Sequence, residues 1–394
     1  MLDARIRRSG VRVSPFFQEK FSVLIGVPKE IKNHEYRIGI TPSGVAELVA
    51  DGHIVLVEKD GGSAVGFHNE DYLSAGAEVV DTAAEIFDRS EMIVKVKEPQ
   101  PQECKMLRPH QTLFTYLHLA PDPEQTKLLI ASGATCIAYE TVTSADGSLP
   151  LLTPMSEVAG RMAAQEAAHC LEKAQGGKGI LPGGVPGVPA ANILVIGGGI
   201  VGINAARMAM GMGAQVTLAD RSVKRLQEID TLYGDRLQTV YSSRANIESL
   251  LPRTDAVIGA VLVPGAAAPK LITREMLELM QPGSVLVDVA IDQGGCFETS
   301  MPTTHQDPTF QINGIVHYCV ANMPGAVART STLALTNVTQ PFISALANQG
   351  VRQALINDPH LLAGLNVHNG LVTLQPVANA QGYEYVDPRQ ALAS

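Results

Sequence analysis

The sequence predicts an α/β protein of two doubly wound parallel-sheet domains, the first discontinuous in sequence, joined by long helices. Three observations carry that expectation. Short apolar runs alternate with helical patterns in two separate series, beginning near residues 23 and 192, and such alternation builds a mostly parallel sheet covered on both faces. A long helical pattern over 155–174 and a stretch over 176–189 with six glycines and three prolines separate the two series. After Pro324 the chain turns helical, without a strand series of its own, and is expected to pack back onto the first domain. At roughly 100–200 residues per domain, a chain of 394 residues accommodates this layout.

In the first series, the run 23–27 ends at Pro28, and Pro42 opens a helical stretch closed by Gly52. Residues 54–57, 78–80, 92–96, 112–117 and 136–138 read as further strands, with helical patterns at 82–87 and 123–130. The long helix follows from Val158, Ala159, Met162, Ala163, Ala167, Cys170, Leu171 and Ala174, which recur at helical spacing. Several are small, which suits close helix packing. The glycine- and proline-rich stretch reads either as a linker or as a loop that lets backbone approach a partner element. In the second series, strands are expected at 193–196, 215–219, 237–241, 256–261, 284–289 and 315–320, with helices at 223–233 and 274–280. Pro341 is expected to kink the C-terminal helical segment.

Composition excludes several classes of function. There are 30 Lys and Arg against 39 Asp and Glu, giving a net charge of −9. That field would repel nucleic acid and anionic lipid, so neither is expected as a partner. No apolar run approaches the ~18 residues of a spanning helix. Five cysteines are scattered without zinc spacing, which fits a reduced cytoplasmic setting and no metal site. Residues 1–21 carry Arg5, Arg7, Arg8 and Arg12 but no apolar core, so they read as a poorly ordered extension rather than a secretory signal.

The most informative motif is Gly197-Gly-Gly199-Ile200-Val201-Gly202, between a strand pattern and a helix pattern. This is the G-x-G-x-x-G turn of a Rossmann-like dinucleotide site in its required context. The next strand pattern ends at Asp220, 23 residues after Gly197. An acid there accepts both ribose hydroxyls and repels a 2′-phosphate, favouring NAD over NADP, whereas the following Arg221 could accommodate such a phosphate. The bland alternative is a glycine turn that holds no ligand.

Ligands of open parallel sheets lie beyond the carboxyl ends of the strands. Four ionisable candidates fall there: Arg37 after the first strand, Lys97 after 92–96, His118 after 112–117, and Asp292 past 284–289 before Gly294-Gly295. Each has a structural alternative: a surface ion pair for Arg37, a surface lysine for Lys97, a core histidine for His118, a turn cap for Asp292. Taken together, an Arg and a Lys can clamp a small carboxylate. A His and an Asp can move protons beside a hydride acceptor. His68, His305 and His317 read as isolated.

Longer motifs resemble a known family. They are Gly26-Val-Pro-Lys-Glu-Ile-Lys-Asn33, Lys95-Val-Lys-Glu-Pro99, Leu117-His-Leu119, Ile137-Ala-Tyr-Glu-Thr141 and Pro154-Met-Ser-Glu-Val-Ala-Gly-Arg161. To these are added Gly183-Gly-Val-Pro-Gly187, Ile258-Gly-Ala-Val-Leu-Val-Pro-Gly265, Asp288-Val-Ala-Ile-Asp-Gln-Gly-Gly-Cys296 and Asn322-Met-Pro-Gly325. From about Val23 onward the chain resembles the NAD-dependent alanine dehydrogenases. The resemblance implies Arg37 and Lys97 on the substrate carboxylate or carbonyl, with His118 and Asp292 acting at the reacting carbon. It implies NAD contacts at Ser156, the Gly197, Gly199, Ile200, Val201 and Gly202 turn, Asp220, Arg225, Ser242, Leu262, Asn322 and Met323. It also implies reversible oxidative deamination of L-alanine to pyruvate and ammonia, and a homo-oligomer, a hexamer in this family. The expected layout is then a substrate domain over 22–154 and 327–394 around an NAD domain over 155–326. Two enzyme-like alternatives share this architecture: the dinucleotide-binding subunit of proton-translocating transhydrogenase, and an amino-acid dehydrogenase of saccharopine dehydrogenase type. A non-catalytic NAD-sensing protein is a third, against which the intact acid/base candidates argue.

Overall fold

The computed structural model describes residues 22–261 and 268–393. The expectations for residues 1–21 and for Leu262 lie outside the described residues.

The first series forms β1 (Leu24–Val27), β2 (Ile54–Glu58), β3 (Glu78–Val80), β4 (Met92–Val94), β5 (Thr112–Thr115) and β6 (Thr135–Ala138). The second forms β7 (Asn192–Ile196), β8 (Gln215–Asp220), β9 (Gln238–Tyr241), β10 (Ala256–Gly259), β11 (Val285–Asp288), β12 (Thr309–Ile312) and β13 (Ile315–Tyr318). Every residue of β4, β5, β6, β10, β11 and β13 is buried, as expected where helices cover both faces of a sheet.

Helix starts follow local chemistry. Pro42 and Pro123 occupy first-turn positions, and the Thr41 and Asp122 side chains accept from Gly44 and Gln125 backbone amides. Such caps contribute about 1 kcal/mol each. The long helix spans Thr153–Cys170, shorter than expected, and is followed by a 3-10 turn at Lys173–Gln175. It lies in backbone contact with the helix Ile200–Gly211: a Cβ at Gly160 would stand 2.2 Å from the Val201 carbonyl oxygen.

Three expectations need correction. The C-terminal segment does contain strands, β14 (Leu365–His368) and β15 (Leu371–Val372), which extend the first sheet antiparallel beside β6. Their run is short and interrupted by Asn366, which is buried only because Thr141 and the Gly364 carbonyl accept from its amide. β12 was also unexpected. It pairs antiparallel with β13 through Asn313 and Gly314, both at positive φ, a hairpin signal that the sequence did display. The helix expected at 274–280 is a 3-10 turn, Glu275–Leu279, stopped by Pro282. The C-terminal helix Ala328–Gln349 passes through Pro341 as one element.

The strand orders are β15-β14-β6-β5-β4-β1-β2-β3 and β12-β13-β11-β10-β7-β8-β9. In each, the chain winds outward in opposite directions from a central pair, β1 and β4 in the first sheet and β7 and β10 in the second. Such switch points leave a crevice outside the carboxyl ends of the strands, where open sheets bind ligands.

Candidate active site

Arg37 and Lys97 stand at the switch point of the first sheet, on the segments that follow β1 and β4. Neither is on the surface. Arg37 is 2% exposed and Lys97 9% exposed. A buried guanidinium demands a partner, and Glu35 supplies it: Arg37 Nε donates to Glu35 Oε1 at 2.7 Å and Nη2 donates to Oε2. Burial alone would raise the Glu35 carboxyl; the hydrogen bonds and charge of Arg37 override it and hold it down at about 2. Arg37 Nη2 also donates to Asn322 Oδ1 at 2.9 Å, and Asn322 Nδ2 donates to Glu35 Oε2 at 3.0 Å. Nη1 reaches only the Met155 thioether, at 3.0 Å. Sulfur is a weak acceptor, so Nη1 is the part of the fork left for a ligand.

Lys97 is held through its backbone. Its N–H and that of Val96 donate to Glu30 Oε1, at 3.2 and 2.6 Å, and its carbonyl accepts from Thr115 Oγ1 at 3.0 Å. Beneath it, the fully buried Lys95 ammonium bridges Glu30 and Glu103 at 3.0 and 2.8 Å. Burial raises the Glu30 carboxyl against the pull of Lys95. Lys97 Nζ is 3.7 Å from Glu98, an ion pair beyond hydrogen-bond length, so the ammonium keeps donors for a ligand. Burial would raise the Glu98 carboxyl, but Lys97 and Lys32 pull it below the usual range.

His118 follows β5 at φ +50°. It is not a core histidine: its side chain is 44% exposed. Its ring stacks on Tyr116 at 5.8 Å with 4° between planes. Glu140 Oε1 accepts from its backbone N–H at 2.6 Å and lies 3.8 Å from Nδ1. Nε2 is therefore the ring nitrogen turned away from Glu140. Tyr116 is anchored by its hydroxyl on the Leu151 carbonyl, and its phenol is pushed up by burial. Sequence reasoning missed Glu35, Tyr116, Glu140 and Glu30. For Glu35 and Tyr116 the signal was an i, i+2 spacing to Arg37 and His118, which places side chains on one side of an extended chain.

The second sheet carries the other half. After β7 comes the glycine turn, and the helix Ile200–Gly211 begins with Gly199 as a cap lacking any side-chain bond. Its first N–H groups are thus free and positive, as an anion site requires. A Cβ on Gly199 would meet nothing within 4 Å, whereas one on Gly202 would stand 1.7 Å from the Gly197 carbonyl oxygen. The first glycine faces open space; the second packs helix on strand. Asp220 at the end of β8 accepts from Gly198 N and Ser222 N, both at 2.7 Å. An ionised carboxylate has about four acceptor sites, so capacity remains for ribose hydroxyls. Ser242 donates its N–H to the Asp220 carbonyl at 2.9 Å, and Arg225 Nε donates to Gly198 O at 2.7 Å while Nη1 pairs with Glu228. Glycine turn, Asp220, Arg225 and Ser242 therefore form one continuous rim that fits a dinucleotide. Ile200 is exposed at this rim, and Val201 backs onto the long helix at Gly160.

Ser156 lies on the long helix next to Met155, and Met323 is buried beside Asn322, which has φ +60°. His305 is not isolated: its Nε2 lies 3.1 Å from the Asn322 carbonyl oxygen. His317 is buried between Thr299 and the Ile315 carbonyl. Asp292 sits exposed in a 3-10 turn, Ile291–Gln293, just past β11. Arg37, Lys97 and His118 thus converge at the first sheet, and Asp292 belongs to the second. Among the described residues no hydrogen bond or ion pair joins Asp292 to those three; Asn322 links the segments that follow β13 and β1 through Arg37 and Glu35.

Comparison with known proteins places two models of one family end to end along the chain. The family model described as alanine dehydrogenase/PNT, N-terminal domain, matches residues 26–159, and the C-terminal domain model matches 163–375. The alanine dehydrogenase of Halomonas elongata is 61% identical over 92% of this chain and 98% of its own length. That of Bacillus subtilis is 54% identical over 94% and 98%. A solved L-alanine dehydrogenase superposes with a TM-score of 0.88 at 51% identity, covering 91% of this chain and 98% of that one. A transhydrogenase from Sinorhizobium meliloti superposes less closely, with a TM-score of 0.77 at 25% identity over 89% and 99%.

Proposed function

Because the chain belongs to the alanine dehydrogenase/PNT family, we propose that it catalyses the reversible NAD-dependent oxidative deamination of L-alanine to pyruvate and ammonia. The observation that carries this reading is the buried Arg37, whose carboxylate-binding fork is tied through Asn322 to the sheet bearing the dinucleotide rim. The transhydrogenase-subunit alternative has less support, at 25% identity against 51% for the solved alanine dehydrogenase.

Arg37 Nη1 and Lys97 Nζ hold the substrate carboxylate, so that Cα is fixed relative to the second sheet. Positioning of this kind supplies up to ~7–11 kcal/mol of barrier reduction. Ser156, the 197–202 turn, Asp220, Arg225, Ser242, Asn322 and Met323 would hold NAD, which would supply the hydride acceptor for Cα. Loss of that hydride leaves an iminium on the substrate. Water adds to its carbon, forming a carbinolamine. His118, oriented by Glu140 and Tyr116, hydrogen-bonds the oxygen at that carbon and takes the hydroxyl proton as the carbinolamine collapses to the carbonyl and the C–N bond breaks, returning it as an acid in the amination direction. Asp292 takes a proton from the attacking water and delivers one to the departing amine. The net change is alanine, NAD and water to pyruvate, ammonium, NADH and one proton.

In this reading the substrate lobe comprises 22–154 and 327–394, and the NAD lobe 155–326. The protein works in the cytoplasm as a homo-oligomer, a hexamer as in its family. Two features support self-association and an intracellular setting. A hairpin closed by the Val185–Val188 bridge exposes Leu181, Val185 and Val188 by 63, 54 and 58%, an apolar cluster that would be covered in a subunit contact. All five cysteines are buried and unpaired. No helix among the described residues is long and apolar enough to cross a membrane. The deciding assay follows NADH absorbance with purified protein, NAD and a panel of alanine, serine, glycine and lysine at alkaline pH. Absorbance should rise fastest with alanine; a flat trace with every amino acid overturns the activity.

A further inference from the structure

The turn that carries Asp292 is held from two sides by opposite charges. From inside, the Asp288 carboxylate is fully buried and collects donors: the amides of Ala290, Cys296 and Phe297 at 3.1, 2.8 and 3.2 Å, the Ser300 hydroxyl and the Cys296 thiol. From outside, the Lys270 ammonium collects acceptors: the carbonyls of Gly294, Gly295 and Phe297 at 2.6, 2.7 and 3.4 Å. The hydrogen-bond partners of Lys270 among the described residues are all backbone carbonyls.

Backbone geometry explains the arrangement. Gly294 and Gly295 both have positive φ, +83° and +75°. Their carbonyls turn toward one cation, and a Cβ on Gly295 would stand 2.7 Å from Asp288 Oδ2. The segment around Lys270 is zipped to the same turn: Ala268 N donates to Gln293 O, Leu271 N to Cys296 O, and Glu298 N to Ile272 O.

We propose that Lys270 and Asp288 are positioning residues for Asp292, fixing the 289–297 turn by its carbonyls and its amides respectively. Neither touches substrate; each acts through the backbone that aims the Asp292 carboxylate. The proposal rests on Asp292 as the proton carrier of the reaction.

Lys270 is the better probe because it lies at the surface, whereas a change at the buried Asp288 risks the fold. Full-length Lys270→Met, Lys270→Arg and Asp292→Asn proteins are compared with the parent for kcat, alanine KM, NADH affinity by fluorescence, and Tm. A misaimed catalytic group typically costs on the order of 10²-fold. Lys270→Met is therefore expected to lower kcat about 10- to 100-fold while NADH affinity and Tm stay near the parent's, and Lys270→Arg, which keeps the cation, to restore most of the loss. Unchanged kcat in Lys270→Met, a matching loss of NADH affinity, or failure of Lys270→Arg to rescue overturns the proposal. The Asp292→Asn arm separates the two ideas. Parent-like turnover there removes the premise itself, whereas an inactive Asp292→Asn beside a normal Lys270→Met removes only the positioning role.

Discussion

The Arg37 guanidinium and the Asn322 carboxamide are hydrogen-bonded at 2.9 Å, although one follows the first strand of the first sheet and the other the last strand of the second. The same amide donates to Glu35, so one side chain satisfies both members of a buried ion pair. The proposed carboxylate clamp is therefore held by a residue that follows the second sheet as well as by residues of its own.

Loss of that bridge should be felt at both ligands. Asn322→Ala is expected to raise the KM for alanine and for NAD together. A hydrogen bond to a charged group contributes about 1.5–3 kcal/mol, or roughly tenfold or more in each constant. Steady-state kinetics with each ligand varied separately checks this, and an effect confined to NAD would refute the bridge.

Glu35 sets an acid limit on stability. Its carboxyl is held at about 2 in the folded protein against an ordinary 4.5. A depressed folded value means that its contribution is full above about pH 4.5 and is lost as pH falls toward 2. Glu35→Gln, which strands the buried Arg37, should cost about 3–5 kcal/mol at neutral pH. Urea midpoints of parent and variant should draw together as pH falls from 4.5 toward 2; a constant gap would contradict the assignment.

Asp292→Asn should lower kcat by about 10²–10⁴-fold, the usual worth of a positioned proton carrier. NADH affinity should be untouched, because the substitution keeps size and polarity. Single-turnover absorbance and fluorescence titration separate the two.

Two glycines of one turn should fail differently. Gly199→Ala adds a methyl group in open space, so Tm should hold while NADH binding is lost to a clash with the pyrophosphate. Gly202→Ala drives Cβ into the Gly197 carbonyl, 1.7 Å away, so the protein itself should be destabilised. Equal Tm values for the two variants would argue against this division.

Asp220 should enforce preference for NAD over NADP. Arg225 on the rim is occupied by Gly198 O and Glu228, which leaves Arg221, directly after Asp220, as the cation that could oppose the preference. Asp220→Ser should relax the preference by at least about tenfold, since removing a charge repulsion of about 1–3 kcal/mol is enough. Comparison of kcat/KM for the two cofactors is the measurement.

By itself the sequence determined what depends on local order along the chain. The glycine turn, the acid at the end of β8 and the positions of Arg37, Lys97, His118 and Asp292 at strand ends are short-range patterns, set by periodicity and turn chemistry. Partnership was decided only by tertiary structure. Glu35 and Tyr116 lie two residues from groups that the sequence pointed to, yet their roles depend on Asn322, 287 residues away from Glu35, and on the Leu151 carbonyl, 35 away from Tyr116. β14 and β15 were hidden for the same reason: a four-residue run with a polar Asn366 becomes a strand only when β6 offers an edge and Thr141 an acceptor. Lys270 illustrates the limit most clearly, since its partners are backbone carbonyls, which every sequence has and no sequence displays.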